Sequence, residues 1–237
     1  MGTVVKDTGV MENALKGVLS QYSIPFNQSD LGAMRGAGKA AAFRTLIERT
    51  LGATRGPEWS QSLAKEMYVT FKQMLREGFE TGPAQEIPGA EAAMRWLRDR
   101  GVKVAATSAL DTDLTEPMLE RLGWAEGIFD CQVATEEVPQ GRPAPYMVFL
   151  AMMRSGTVDV RRVAAVGDTP VDLKAGTNAC AGWVIGVLSG AHSLETLGAT
   201  PHTHILNSVA ELPRLLGRVG PEINEAFATF RLGSILC

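Results

Sequence analysis

Cysteine is scarce, with three in 237 residues. Cys131, Cys180 and Cys237 are odd in number, widely spaced and without a Cys-x-x-Cys pair. That argues against a disulfide framework or a structural zinc site and fits a reducing cytosol. Histidine is equally rare. His192, His202 and His204 have no third ligand at a telling distance, and Pro201-His202-Thr203-His204 leads into a short strand, so they read as edge-strand or loop residues. Positive charge is not in excess: 23 Lys and Arg stand against 26 Asp and Glu, a formal charge of −3. Without a basic tract, and with Trp59, Trp96, Trp124 and Trp183 scattered, nucleic acid is excluded as an expected partner. Apolar runs are short; none reaches the ~18 residues of a membrane span, and no charged start precedes an apolar stretch. The glycines of 186–191 match neither the dinucleotide nor the P-loop spacing.

What is present falls into two patterns. Residues 11–22 carry Met11, Leu15, Val18, Leu19 and Tyr22 at helical spacing. A second helix is predicted from about Ala37 to Leu51, and a third from Pro57 through Leu63, Met67, Phe71, Met74 and Leu75. Gly82-Pro83 and Pro88-Gly89 break this all-helical block. Strand and helix then alternate: helix 91–100, strand 102–107, helix 112–122, strand 131–134, helix 145–154, strand 163–167, a helix to about 179, strand 183–188, strand 204–206 and a helix from 209. Such alternation predicts a doubly wound, mostly parallel, Rossmann-like α/β core. The expected division is a linker at 1–10, a helical unit at 11–80, the α/β core at 81–216, and a tail at 217–237 that is helical or disordered. The methionines and Phe43, Phe71 and Phe149 read as core.

Within the core, Val163-Ala164-Ala165-Val166-Gly167-Asp168-Thr169-Pro170-Val171-Asp172 reads as a buried strand, a tight turn and a helix start. Asp168 and Asp172 then stand where ligands bind in an open parallel sheet. Their hard oxygens suit Mg²⁺; as acids in a first helical turn they also complement the macrodipole. Thr107-Ser108-Ala109 and Gly141-Arg142-Pro143 punctuate the same region. A hydroxyl, a fixed cation and paired carboxylates complement a phosphoryl group held with Mg²⁺.

In this order the motifs resemble the haloacid dehalogenase superfamily, and Gly141-Arg142-Pro143-Ala144-Pro145 with Val166-Gly167-Asp168-Thr169-Pro170-Val171-Asp172 resemble its phosphonatase-like branch. The resemblance implies phosphoryl transfer through an aspartyl-phosphate, with a small phosphonate or phosphate ester as substrate. It assigns Ser108, with the amide of Ala109, to the phosphoryl oxygens, Thr107 being the alternative. Arg142 is the basic residue that holds the phosphoryl group, Asp168 is the Mg²⁺ ligand, and Asp172 is the acid supporting it from close by. The helical unit becomes a cap closing over the site, and a dimer through that cap is implied. Gly36-Ala37-Gly38-Lys39 fits the turn whose lysine forms a Schiff base with an aldehyde substrate; a protonated C=N lets a carbon–phosphorus bond break toward an enamine. Ala42 stands where the phosphonatase pattern carries a histidine, so Lys39 as an imine former and Lys39 as a cation on an ester's leaving group both stay open.

Of the superfamily's first motif only Gly2-Thr3 is present, as substrate-side loop residues; Met1 takes the third position and the nucleophilic aspartate falls two residues ahead of it. Asp7 lies beyond that turn and is not its replacement. The first core strand, expected between the strands ending at Ser108 and at Asp168, is then missing, leaving unpaired backbone edges. The expectation is that neighbouring strands close the gap, another segment fills it, or the chain folds poorly. The full-length protein is expected to be a hydrolase and residues 1–237 inactive; a binding remnant without turnover is the alternative.

Overall fold

The computed structural model describes residues 1–34, 38–51, 55–218 and 234–236. The helical unit holds α1 (Val10–Gln21), α2 (Gln28–Met34), α3 (Lys39–Leu51) and the long α4 (Gly56–Thr81). Pro57 in the first turn starts α4, and Ser60, Ala64, Met67, Phe71 and Leu75 form its buried face. All but Ser60 meet Leu15, Leu19, Phe43 and Ile47 in one apolar cluster that also takes in Leu110 and Leu114 from the other unit.

Two linkers join the units side by side. Val5 and Glu86 make an antiparallel bridge, the Ile87 N–H donates to Val4 O (2.8 Å) and the Lys6 N–H to Gln85 O (2.9 Å). α4 ends at Thr81, just before these linker contacts.

Beyond it come α5 (Ala90–Arg98), β1 (Lys103–Ser108), α6 (Thr112–Arg121), β2 (Cys131–Ala134), α7 (Tyr146–Ser155), β3 (Val163–Gly167), α8 (Pro170–Asn178), β4 (Trp183–Val187), α9 (Leu194–Gly198), β5 (His204–Leu206), α10 (Leu212–Arg218) and β6 (Ser234–Leu236). The strands form one parallel sheet in the order β2-β1-β6-β3-β4-β5. Among the described residues no helix is long and apolar enough to cross a membrane.

Three expectations are corrected. The tail is not simply helical or disordered: Ser234–Leu236 inserts mid-sheet, pairing Lys103–Ala105 on one side and Val163–Ala165 on the other. The slot of the missing first strand is filled by another segment; 219–233 and Cys237 lie outside the described residues. The short α2 and α9 were not anticipated. Phe149 is not core: it is 39% exposed, with Tyr146 and Met153 on the same side of α7, because that helix packs on the sheet through Met147, Val148, Ala151 and Met152. His204 sits on edge strand β5, stacked on Trp183 at 4.9 Å.

Candidate active site

The parallel strands deliver their carboxyl ends to one side of the sheet, and a crevice of about 770 Å³ opens there, lined by Gly2, Thr3, Lys39, Ser108, Ala109, Arg142, Asp168 and Asp172, with Thr107 beside them. Every expected site residue thus reaches one cavity. Gly36 and Ala37, from the lysine turn, lie outside the described residues.

Asp168 follows β3 and is 4% exposed. Its Oδ1 accepts the Thr3 hydroxyl (2.8 Å) and its Oδ2 the Ala191 N–H (3.3 Å). Gly2 (φ +96°) and Gly190 press against it so closely that a Cβ at either would overlap Oδ2. At Gly2 the left-handed backbone and the contact both demand glycine. Burial, then the negative charge of Asp172, push the Asp168 carboxyl above its ordinary pKa.

Asp172 is held differently. Its Oδ2 accepts the Thr169 N–H (3.0 Å) and hydroxyl (2.6 Å), a reciprocal cap on α8. Its Oδ1 pairs with Arg142 Nη1. Arg142 comes from the loop between β2 and α7, next to a cis bond to Pro143. Its Nε is buried with no hydrogen-bond partner among the described residues.

Ser108 Oγ accepts the Leu110 N–H (3.0 Å), which leaves its O–H as a donor. Its carbonyl takes the Thr135 hydroxyl (3.0 Å), tying the end of β1 to the turn after β2. Lys39, the first residue of α3, is 3% exposed and lines the crevice from the helical unit together with Met11 and Glu12 of α1. Asp7 lines the same crevice but turns one carboxylate oxygen to the Gly9 N–H (2.9 Å).

The described residues offer no group of three or more His, Cys, Asp or Glu placed to hold a metal ion. Asp168 has the chemistry of a hard-cation ligand: a buried carboxylate crowded by a second one, which a cation would neutralise. Asp172 is already engaged by its cap and by Arg142, which suits support rather than direct ligation.

The loop after β4, whose glycines fit no phosphate-loop spacing in the sequence, turns out to hold Asp168 in place. Ser189 donates its hydroxyl to Gly2 O (2.8 Å), Gly190 packs on Asp168, and Ala191 donates its N–H to it. The available signal was a Ser-Gly pair at the carboxyl end of the strand next to β3.

Comparison with known proteins follows the same lines. The profile of a family described as haloacid dehalogenase-like hydrolase matches residues 2–179. A phosphonoacetaldehyde hydrolase of Parabacteroides distasonis is 33% identical over 205 residues, covering 75% of this chain and 72% of that protein. The Bacillus cereus enzyme of that name is 31% identical over 131 residues, covering 54% of this chain and 48% of its own length. Among solved structures, a hydrolase from Pseudomonas syringae superposes with a TM-score of 0.80 at 18% identity, over 93% of this chain and 96% of that one. A phosphonoacetaldehyde hydrolase-like protein from Oleispira antarctica gives 0.77 at 18% identity, over 96% and 91%.

Proposed function

The chain belongs to the haloacid dehalogenase-like hydrolase family, and from that premise we propose that its crevice seats the phosphoryl group of a small phosphonate or phosphate ester for hydrolysis. The observation that carries this reading is the convergence of Ser108, Ala109, Arg142 and Asp168 on one cavity, with the buried Nε of Arg142 lacking a partner among the described residues. A phosphoryl oxygen satisfies that donor, and others accept the Ser108 hydroxyl and the Ala109 amide. Asp172 fixes the guanidinium plane through Nη1, so the fork is oriented before the ligand arrives.

Asp168 is the residue that would hold Mg²⁺, which supplies positive charge to the phosphoryl oxygens when bound. Gly2, Thr3 and the 189–191 loop keep that carboxylate in place. In the aspartyl-phosphate route implied by the family, a carboxylate oxygen bonds to phosphorus while the leaving group departs with its electron pair. Water then releases phosphate.

The resemblance puts the attacking aspartate two positions ahead of Met1, so the test compares phosphate release by residues 1–237 with release by a chain extended upstream by an apolar strand ending in that aspartate. Release confined to the extended chain supports the route, and equal release refutes it. Inorganic phosphate that fails to protect either chain from unfolding removes the phosphoryl site altogether.

Lys39 gives the reading two versions. Its burial at the crevice favours an imine: the amine adds to an aldehyde, water leaves, and the protonated C=N accepts the electron pair of the breaking carbon–phosphorus bond. Ala42, in place of the pattern's histidine, favours an ester whose leaving group Lys39 merely binds. Borohydride with phosphonoacetaldehyde separates them, since only the imine leaves a reduced adduct on Lys39.

A further inference from the structure

Lys39, Ala109 and Arg142 line both the crevice and an adjoining second cavity of about 790 Å³ between the cap and the core. Two carbons need only about 60 Å³, taking roughly 30 Å³ for each water-sized group. Cavities of several hundred Å³ hold ligands of ten or more heavy atoms. The space beyond Lys39 therefore suits a much longer organic chain.

One face of α3 forms its floor: Lys39, Ala42, Leu46 and Arg49 line the cavity at helical spacings of three, four and three. The alanine and leucine make the middle apolar. Arg49 closes the far end, its side chain 55% exposed and its Nη2 paired with Asp30. Asp30 is itself buried and fixed by the Asn27 N–H (2.8 Å), so it works as a rigid mount for the guanidinium. On the opposite wall the charge of Asp111 is already met by Lys72 (3.0 Å), and Glu136 accepts the Thr112 N–H (3.0 Å). Ten residues of helix set Lys39 and Arg49 about 15 Å apart along the axis, and side chains lean toward the helix N-terminus, shortening the gap that a ligand must bridge.

Resting on the phosphoryl site argued above, we propose that the natural substrate carries a second anionic group, joined to the phosphoryl group by an extended chain, and that Arg49 is the specificity-determining residue that pairs with it. The planar fork has five N–H donors, which lets one edge keep Asp30 while another takes a carboxylate or phosphate.

The probes are hexylphosphonate and 6-phosphonohexanoate, equal in chain length and differing in the terminal carboxylate, titrated into the full chain with Mg²⁺ by calorimetry. The wild type is expected to bind the carboxylate form at least fivefold more tightly. Arg49→Gln brings the two ligands to within twofold, and Arg49→Lys restores part of the difference. Because Arg49→Gln strands Asp30, Asp30→Asn with Arg49→Gln is measured beside it, and it is expected to equalise the ligands in the same way. A wild type that binds both ligands equally, or a preference that survives in both variants, overturns the role of Arg49 while leaving the phosphoryl site standing. If neither phosphonate binds the wild type, the phosphoryl site itself is wrong and the proposal falls with it.

Discussion

Arg142 and Asp172 depend on each other, with side chains 14% and 7% exposed. Removing one partner of a buried pair leaves an uncompensated charge and costs about 3–5 kcal/mol. Arg142→Gln is therefore expected to lower unfolding stability by about 3 kcal/mol and to abolish the rise in denaturation midpoint that inorganic phosphate gives the wild type. Denaturant titrations with and without phosphate check both. The cysteines give a second residue-scale prediction. Burial pushes the Cys131 thiol up; Arg154 opposes this, while Asp130 and Glu137 add to it. Cys180 is exposed. At pH 8, iodoacetamide is expected to label Cys180 about tenfold faster than Cys131, as read from peptide masses. Ser108, Arg142, Asp168 and Asp172 were legible because each stands at a break between a periodic run and a turn, as in Gly-Arg-Pro and Gly-Asp-Thr. Ala191 was not: it reaches Asp168 through a backbone N–H, and no side-chain pattern encodes a backbone donor.

Among the elements, α4 and α6 meet through charge. Lys72 pairs with Asp111 and Asp113, and Arg76 with Asp113. Burial works against the Lys72 ammonium, but its hydrogen bonds to the two aspartates outweigh that and hold its pKa above 10.5. Burial, then the hydrogen bond and charge of Asp111, raise the Tyr68 phenol above 10.0. Both signs agree. The unfolded lysine loses its proton before the folded one, and the unfolded tyrosine ionises before the folded one, so stability is fully present below about pH 10 and falls above it. Docking of α4 on α6 is expected to loosen progressively as the pH rises above about 10, with faster proteolysis of the 82–89 linker. Lys72→Met should remove the lysine's share of that dependence and leave the share of Tyr68, which Tyr68→Phe removes. Arg76→Met should change little, since an exposed pair contributes about 0–1 kcal/mol. The long helices α1, α3 and α4 were readable because their apolar residues keep a 3.6 period over several turns. α2 and α9, of 7 and 5 residues, are too short to show one. On α7 the period misled for Phe149, because apolar residues occupy both faces of that helix.

At the scale of the whole molecule, the sheet is held together by its latest strand, one of its two shortest. Ser234–Leu236 spans only three residues, and its partners β1 and β3 lie far away in sequence. A parallel pairing of that kind leaves no hairpin turn or local alternation to read, which is why 217–237 looked like a tail. Yet β6 joins β2-β1 to β3-β4-β5. Without it the inward backbone edges of Lys103–Ala105 and Val163–Ala165 lose their partners, each buried orphan costing about 1–3 kcal/mol. The same strand holds the first halves of β1 and β3 two strand spacings apart, about 9.5 Å, and both strands run on from there to Ser108 and Asp168. Ile235→Pro removes one donor from the central strand and clashes with its ladder. It is expected to lower stability by about 1–3 kcal/mol and to abolish protection by phosphate. Ending the chain at residue 218 should cost more, with loss of a cooperative unfolding transition and binding of a hydrophobic dye. If both variants keep the wild-type midpoint and the phosphate response, the gap between β1 and β3 is closed by something other than β6.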